Sequence, residues 1–232
     1  MRGYIKQKSD FPRPQCFWEE VVDVPFMVLC CGEQNNRWQR RRLRRALRKM
    51  AEQGICRAII PPDMIPLCRE MGIQPIEERP LRLALMEPLL DSFCAQNGLD
   101  IHRSTVRLCG HRVDRALQQA AVLLAGRARY IELQIDIGQQ ELSDWLRREY
   151  GISTGCGGHG AILRICCNDA QAENIPTLWL GQNCEKQQRI SYRLSQSWHG
   201  RIEADPQLLS VLFAEGKLPL EAISIKSVET YA

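Results

Sequence analysis

The sequence predicts an α/β chain built on a mostly parallel sheet, and three observations carry that prediction. Apolar runs of strand length alternate with segments of helical spacing, the alternation runs through twice, and glycines stand where the runs end. A strand-rich C-terminal part follows the second round.

Residues 1–24 hold Pro12, Pro14 and the aromatics Phe17 and Trp18 without a sustained period, and read as an N-terminal arm. Phe26 to Cys31 is a continuous apolar run closed by Gly32, as expected of a strand buried on both faces. From about Asn36 to Gln53 the residues Leu43, Ala46, Leu47 and Met50 follow helical spacing, with Gly54 as the stop. Cys56 to Ile60 reads as the next strand. Asp63 is placed to cap a short helix ending near Gly72, and Ile73 to Ile76 is extended. A helix from about Leu81 to Gln96 stops at Asn97-Gly98.

The order then returns. Val106 to Gly110 is a strand closed by glycine, Val113, Leu117, Ala120, Ala121 and Leu124 mark a helix punctuated by Gly126, and Tyr130 to Ile135 is a strand ending at Asp136. A helix from about Gln139 to Tyr150 follows. Arg69-Glu70-Met71-Gly72-Ile73 closes the first round and Arg148-Glu149-Tyr150-Gly151-Ile152 the second, the pattern of an internal duplication into βαβα units over 25–98 and 99–232. Strands are expected at Ala161 to Cys167, Thr177 to Leu180, Ile190 to Leu194 and Ile223 to Val228. Asp205-Pro206 supplies a capping side chain and a proline for a helix that Gly216 ends.

From Thr105 to about Cys167 the chain resembles the Rossmann-like superfamily, with a fainter echo from Phe26 to Ile76. That resemblance implies a doubly wound sheet with its ligand crevice at the carboxyl ends of the strands, where the winding reverses. With the first strands of the two units as neighbours, Cys31-Gly32-Glu33 and Cys109-Gly110-His111-Arg112 would bound it. Two separate lobes with a cleft between them is the open alternative.

The dinucleotide fingerprint uses three glycines for a tight turn, close approach to pyrophosphate and helix packing, with an acid about 20 residues on for the ribose. Gly110-His111-Arg112-Val113-Asp114-Arg115 keeps one of the three glycines, and Asp136 matches the acid, which would favour NAD. His111 and Arg112 read as the first turn of a helix, where free amides favour a phosphate or carboxylate. The plain alternative is a tight turn beside a solvated acid and a surface pair.

Arg37, Arg40, Arg41, Arg42, Arg44, Arg45, Arg48 and Lys49 stand against Glu52 alone, so this one helix carries +7 in a chain whose net charge is +4. A phosphate backbone, an anionic lipid surface or an acidic protein fits that density, and a solvated face paired to neighbouring acids is the plain alternative. In Ser153 to Gly160, Cys156 and His159 offer two soft ligands, but no second ligand pair at matched spacing completes a metal site. The eleven cysteines, an odd number without an export signal, are expected as reduced thiols. Cys30, Cys31, Cys109, Cys166 and Cys167 read as core hydrophobes.

No apolar stretch has membrane-spanning length, and a cytoplasmic protein is expected. No Walker-type loop, His-Glu-x-x-His or Gly-x-Ser-x-Gly occurs, so no motif fixes a reaction. Three functions follow. The first is a Rossmann-like protein binding a small anionic or nucleotide-type ligand at Gly32, Glu33, Gly110, His111, Arg112 and Asp136. The second is an NAD(P)-dependent oxidoreductase with a degenerate fingerprint. The third is an interaction protein that binds nucleic acid or another acidic partner through Arg37, Arg40, Arg41, Arg44, Arg45 and Arg48.

Overall fold

The computed structural model describes residues 1–8, 11, 13–32, 37–156, 161–167, 175–181 and 188–230. In chain order the first elements are β1 (Gly3–Gln7), β2 (Gln15–Val21), β3 (Val24–Cys31), α1 (Arg37–Glu52), β4 (Arg57–Ile59), α2 (Ile65–Glu70) and β5 (Gln74–Pro75). There follow α3 (Arg79–Ala84), α4 (Met86–Gln96), β6 (Thr105–Arg112), α5 (Arg115–Ala125), β7 (Tyr130–Ile137), α6 (Gln139–Tyr150) and β8 (Gly155–Cys156). The last are β9 (Ala161–Cys166), β10 (Thr177–Trp179), β11 (Gln188–Leu194), α7 (Pro206–Ala214) and β12 (Ile223–Thr230). The chain is thus mixed α/β, and it divides into two units, one of Met1–Glu78 with Gln196–Pro219 and one of Arg79–Ser195 with Leu220–Ala232.

The first unit holds a sheet in the order β2-β3-β1-β4-β5, parallel except for the antiparallel edge strand β2. Residues 1–24 are therefore not an arm. They supply β1, which lies in the middle of the sheet, and β2, paired with β3 from Gln15↔Cys30 to Val21↔Val24. The reason β1 escapes a pattern search is its brevity, and the reason β2 does is that its residues are half-buried or exposed. Gly3 is required by close approach, since a Cβ there would stand 2.9 Å from Ala58 Cβ and 2.9 Å from Ile55 Cγ2. The β2–β3 hairpin turns on Val22 and Asp23, both at positive φ. Helix α1 buries Leu43, Leu47 and Met50 in a core with Ile5, Met27, Leu29 and Ile60.

The returning segment completes this unit. Asp205 caps α7, its carboxylate accepting from Leu208 N at 2.9 Å with Pro206 in the first turn, as the sequence predicts. Gln207 is buried and its amide pairs with one backbone residue in both senses. Its Oε1 accepts from Ile60 N at 3.0 Å and its Nε2 donates to Ile60 O at 3.1 Å.

The second unit holds a wholly parallel sheet in the order β10-β9-β6-β7-β8, and β11 pairs antiparallel with β12. From β6 the chain winds outward through β7 to β8, and then resumes on the other side of β6 with β9 and β10. The helix expected over Leu81 to Gln96 is two, α3 and α4, interrupted at Leu85. Pro88 explains the break, because it has no N–H to give the residue four before it and its ring crowds that carbonyl.

The sequence of strand, helix, strand, helix, strand recurs as β3-α1-β4-α2-β5 and β6-α5-β7-α6-β8. The pairing does not. β6 and β7 are neighbours, whereas β1 separates β3 from β4. The two Arg-Glu-x-Gly-Ile segments are helix stops of one design, with Gly72 and Gly151 at positive φ. In each, the isoleucine amide turns back to a carbonyl in the last helical turn, Ile73 N to Cys68 O and Ile152 N to Leu146 O. Asp63 does not cap by its side chain; it lies inside a single 3-10 turn, Pro62–Met64, ahead of α2.

Candidate functional site

The expected crevice between β3 and β6 requires those strands to be neighbours, and they belong to different sheets. Both edges of β6 are taken, by β7 and by β9. Gly32 follows β3 in the first unit, where a Cβ would come within 2.6 Å of the Phe11 carbonyl oxygen, so neighbouring backbone explains this glycine. Glu33 lies outside the described residues, as do Gly157 to Gly160, with His159, and Cys184.

Gly110, His111, Arg112 and Asp136 do come together, at the carboxyl ends of β6 and β7. His111 and Arg112 are not in a helix, however. Strand β6 runs through Arg112, and α5 begins at Arg115. The side chain at the N-terminus of α5 is Asp114, which accepts from Leu117 N at 2.9 Å and pairs with Arg79 at 2.5 Å. A carboxylate thus occupies the position where a dinucleotide fold presents amides to phosphate, and it opposes an incoming anion. Asp136 is also engaged, its Oδ2 lying 2.8 Å from His111 Nδ1, although both side chains are exposed.

One face of the second sheet carries polar groups that apolar-run reasoning overlooks. Because side chains alternate along a strand, Val106, Leu108, Ile131, Leu133, Leu163 and Ile165 make an apolar face. On the opposite face two rows cross the strands. Glu132, Arg107, Arg164 and Thr177 form the first, and Gln134, Cys109, Cys166 and Trp179 the second. Arg107 Nε donates to Glu132 Oε2 at 3.1 Å, and Arg164 is 1% exposed. Cys109 Sγ lies 3.6 Å from Gln134 Oε1 and packs with Cys166 and Trp179.

The electrostatics of the second row separate the two thiols. A hydrogen bond from the Cys166 thiol, joined by a hydrogen bond and the charge of Arg164, outweighs burial and lowers Cys109 to about 7. The same contact and burial push Cys166 up. Elsewhere burial raises the thiols of Cys31 to about 11 and of Cys68 and Cys167 to about 12. The sequence signal for this face was present: Arg107 with Cys109, Glu132 with Gln134, and Arg164 with Cys166 each follow the two-residue strand period. Among the described residues no group of three or more His, Cys, Asp or Glu side chains is arranged to hold a metal ion.

The third feature is α1. Its eight basic side chains, Arg37, Arg40, Arg41, Arg42, Arg44, Arg45, Arg48 and Lys49, are all exposed. Arg44 pairs with Glu70 at 3.1 Å and Arg41 lies over the Trp38 ring. Among the described residues no acidic side chain pairs with the others. No helix among them is long and apolar enough to cross a membrane.

No family model matches the chain. Nor does any curated protein. Among solved structures it is similar to L-tryptophan dehydrogenase from Nostoc punctiforme, at 11% identity and a TM-score of 0.32 over 67% of this chain. The chain spans 51% of the length of that dehydrogenase. A likeness of that degree carries no argument about the chemistry of this chain.

Proposed function

We propose that the chain binds a nucleic acid through the phosphate backbone, along the basic face of α1. The observation that carries this reading is the division of the helix. Leu43, Leu47 and Met50 are spent on the core of the first unit, and the eight basic side chains remain exposed with Arg44–Glu70 as their ion pair among the described residues. Guanidinium groups match phosphate oxygens in pairs, and a row of them gives affinity without reading sequence. An anionic lipid surface fits less well. A helix lying in a bilayer interface must offer its apolar face to the acyl chains, and here that face is already buried.

The test is fluorescence anisotropy with a labelled random-sequence oligonucleotide across a salt series. If roughly four phosphates are neutralised, log affinity falls against log salt with a slope of about −3.6 on a duplex. Replacing Arg40, Arg41, Arg45 and Arg48 with Gln flattens that slope while leaving the melting temperature unchanged, since these side chains are exposed. Absence of binding at low salt, or equal binding by the variant, overturns the reading. Binding to anionic vesicles alone would move the function to a lipid surface.

A second reading is favoured by the strand order of the second unit. A parallel sheet ordered β10-β9-β6-β7-β8 supports a Rossmann-like, doubly wound assignment with a small ligand near the ends of β6 and β9. Asp136, at the end of the second strand of that winding, suits an adenosine ribose. The carboxylate of Asp114 at α5 and the engagement of Asp136 by His111 weaken the NAD(P)-dependent oxidoreductase version. Thermal stabilisation by NAD that disappears in Asp136→Ala would restore it.

A further inference from the structure

We propose that Cys109 and Cys166 form a redox-active dithiol that reduces hydrogen peroxide, with Cys109 as the attacking sulfur and Cys166 as the resolving one. The geometry begins with register. The two residues are Cα partners on the adjacent parallel strands β6 and β9. Neighbouring strands lie about 4.8 Å apart, inside the span of roughly 4.4–6.8 Å that a disulfide bridges. Register partners project to the same face, and these two pack together with Trp179. No strand has to slide for the sulfurs to join.

The surroundings assign the roles. Arg164 precedes Cys166 by two residues on the same face and is buried, so its guanidinium is a fixed cation beside the pair. The neighbouring Cys166 thiol first, and then the charge of Arg164, lower the Cys109 thiol. Both contacts favour a thiolate on Cys109. The thiolate and not the thiol is the nucleophile.

Access selects the oxidant. Cys109 and Cys166 are 1% and 0% exposed, yet Gln134, whose side-chain oxygen accepts from the Cys109 thiol at 3.6 Å, is itself exposed. The sulfur lies one side chain beneath solvent, within reach of a peroxide little larger than water and shielded from bulkier hydroperoxides. In the first step the Cys109 thiolate attacks one peroxide oxygen. The O–O bond breaks, a sulfenic acid forms on Cys109, and the departing hydroxide takes a proton from solvent to become water. In the second step the Cys166 sulfur attacks Cys109 Sγ. The S–O bond breaks, the disulfide forms, and hydroxide leaves with the Cys166 proton as a second water. Two cysteine sulfurs are oxidised by two electrons and one hydrogen peroxide is reduced to two waters; a small dithiol reductant reverses the bridge.

The experiment treats the reduced full-length chain with hydrogen peroxide, alkylates the remaining thiols and maps the peptides. A Cys109–Cys166 bridge is expected, forming at a rate that rises with pH through about 7. Cumene hydroperoxide should react at least roughly tenfold more slowly, because the bulkier molecule cannot pass the Gln134 side chain. In Cys166→Ser the reaction stops at a dimedone-trappable sulfenic acid on Cys109, whereas Cys109→Ser leaves Cys166 reduced. Oxidation confined to the exposed Cys16 and Cys56, with the pair still reduced, overturns the proposal. The wild-type map and its pH profile decide the matter even if a serine variant fails to fold.

Discussion

Replacing Gln207 should cost more stability than its single side chain suggests. Its amide is the hydrogen-bond partner of both the N–H and the C=O of Ile60, in a position where both residues are buried. Gln207→Ala leaves a buried donor and a buried acceptor without partners, each costing about 1–3 kcal/mol, so the loss is about 2–6 kcal/mol. Gln207→Leu restores most of the volume and none of the hydrogen bonds. If pairing is the cause, the two variants lose similar amounts; if packing is, Leu recovers most of the loss. Urea unfolding followed by circular dichroism gives both numbers. A Gln207→Leu protein within about 0.5 kcal/mol of wild type, the range of an ordinary surface substitution, would refute the reasoning.

Two other expectations concern the backbone and the thiols. Val22 sits at positive φ in a two-residue hairpin turn, a conformation costing a β-branched residue about 1–2 kcal/mol, and Asn is favoured there. Val22→Asn should therefore raise stability by about 1 kcal/mol, read as a higher urea midpoint; a lower one would show that Val22 makes a contact worth more than its strain. Stability should also fall in alkali. Cys31, Cys68 and Cys167 stay protonated in the fold to about 11, 12 and 12, while the unfolded chain releases those protons near their ordinary value of 9.0. Above about pH 9 the native state holds more protons than the unfolded one, so unfolding becomes easier as pH rises. Cys109, lowered to about 7, acts oppositely between about 7 and 9. A flat urea midpoint from about pH 9 to 10.5 under reductant would contradict this.

The elements that sequence reveals best are those whose burial is continuous. Strand β3 reads as an apolar run because both its faces are covered, and α7 announces itself through Asp205-Pro206. Strand β1 lies at the centre of its sheet yet is too short for any pattern to emerge, and its role depends on Gly3 admitting Ala58 and Ile55. Strand β6 runs two residues past the glycine that marks its end in the sequence. Gly110 looked like the end of the strand, which put His111 and Arg112 in a helix, although Asp114, three residues before Leu117, was the better cap by side-chain chemistry. In the sequence the buried thiols are indistinguishable from plain core residues, because Cys resembles a small hydrophobe. What separates Cys109 from Cys31 is the Cys166 thiol, with Arg164 beside it, on a neighbouring strand, and no local pattern reports neighbours 57 and 55 positions away. Gln207 has the same difficulty, since its partner is 147 residues distant.

The path of the chain also bears on how the protein can be made. Ile60 leaves the ribosome 147 residues before Gln207, an interval of roughly 7–30 s at ordinary rates of synthesis. During that time α1 and its sheet wait for α7. The second unit is likewise interrupted, because β11 must wait for β12 until the segment Gln196–Pro219 has been made. Neither unit is therefore a contiguous stretch of sequence, and a truncation after Glu78 would release a first unit lacking the helix that closes it. To express the first unit by itself, a designer would have to splice Met1–Glu78 to Gln196–Pro219, a fusion the ribosome never makes.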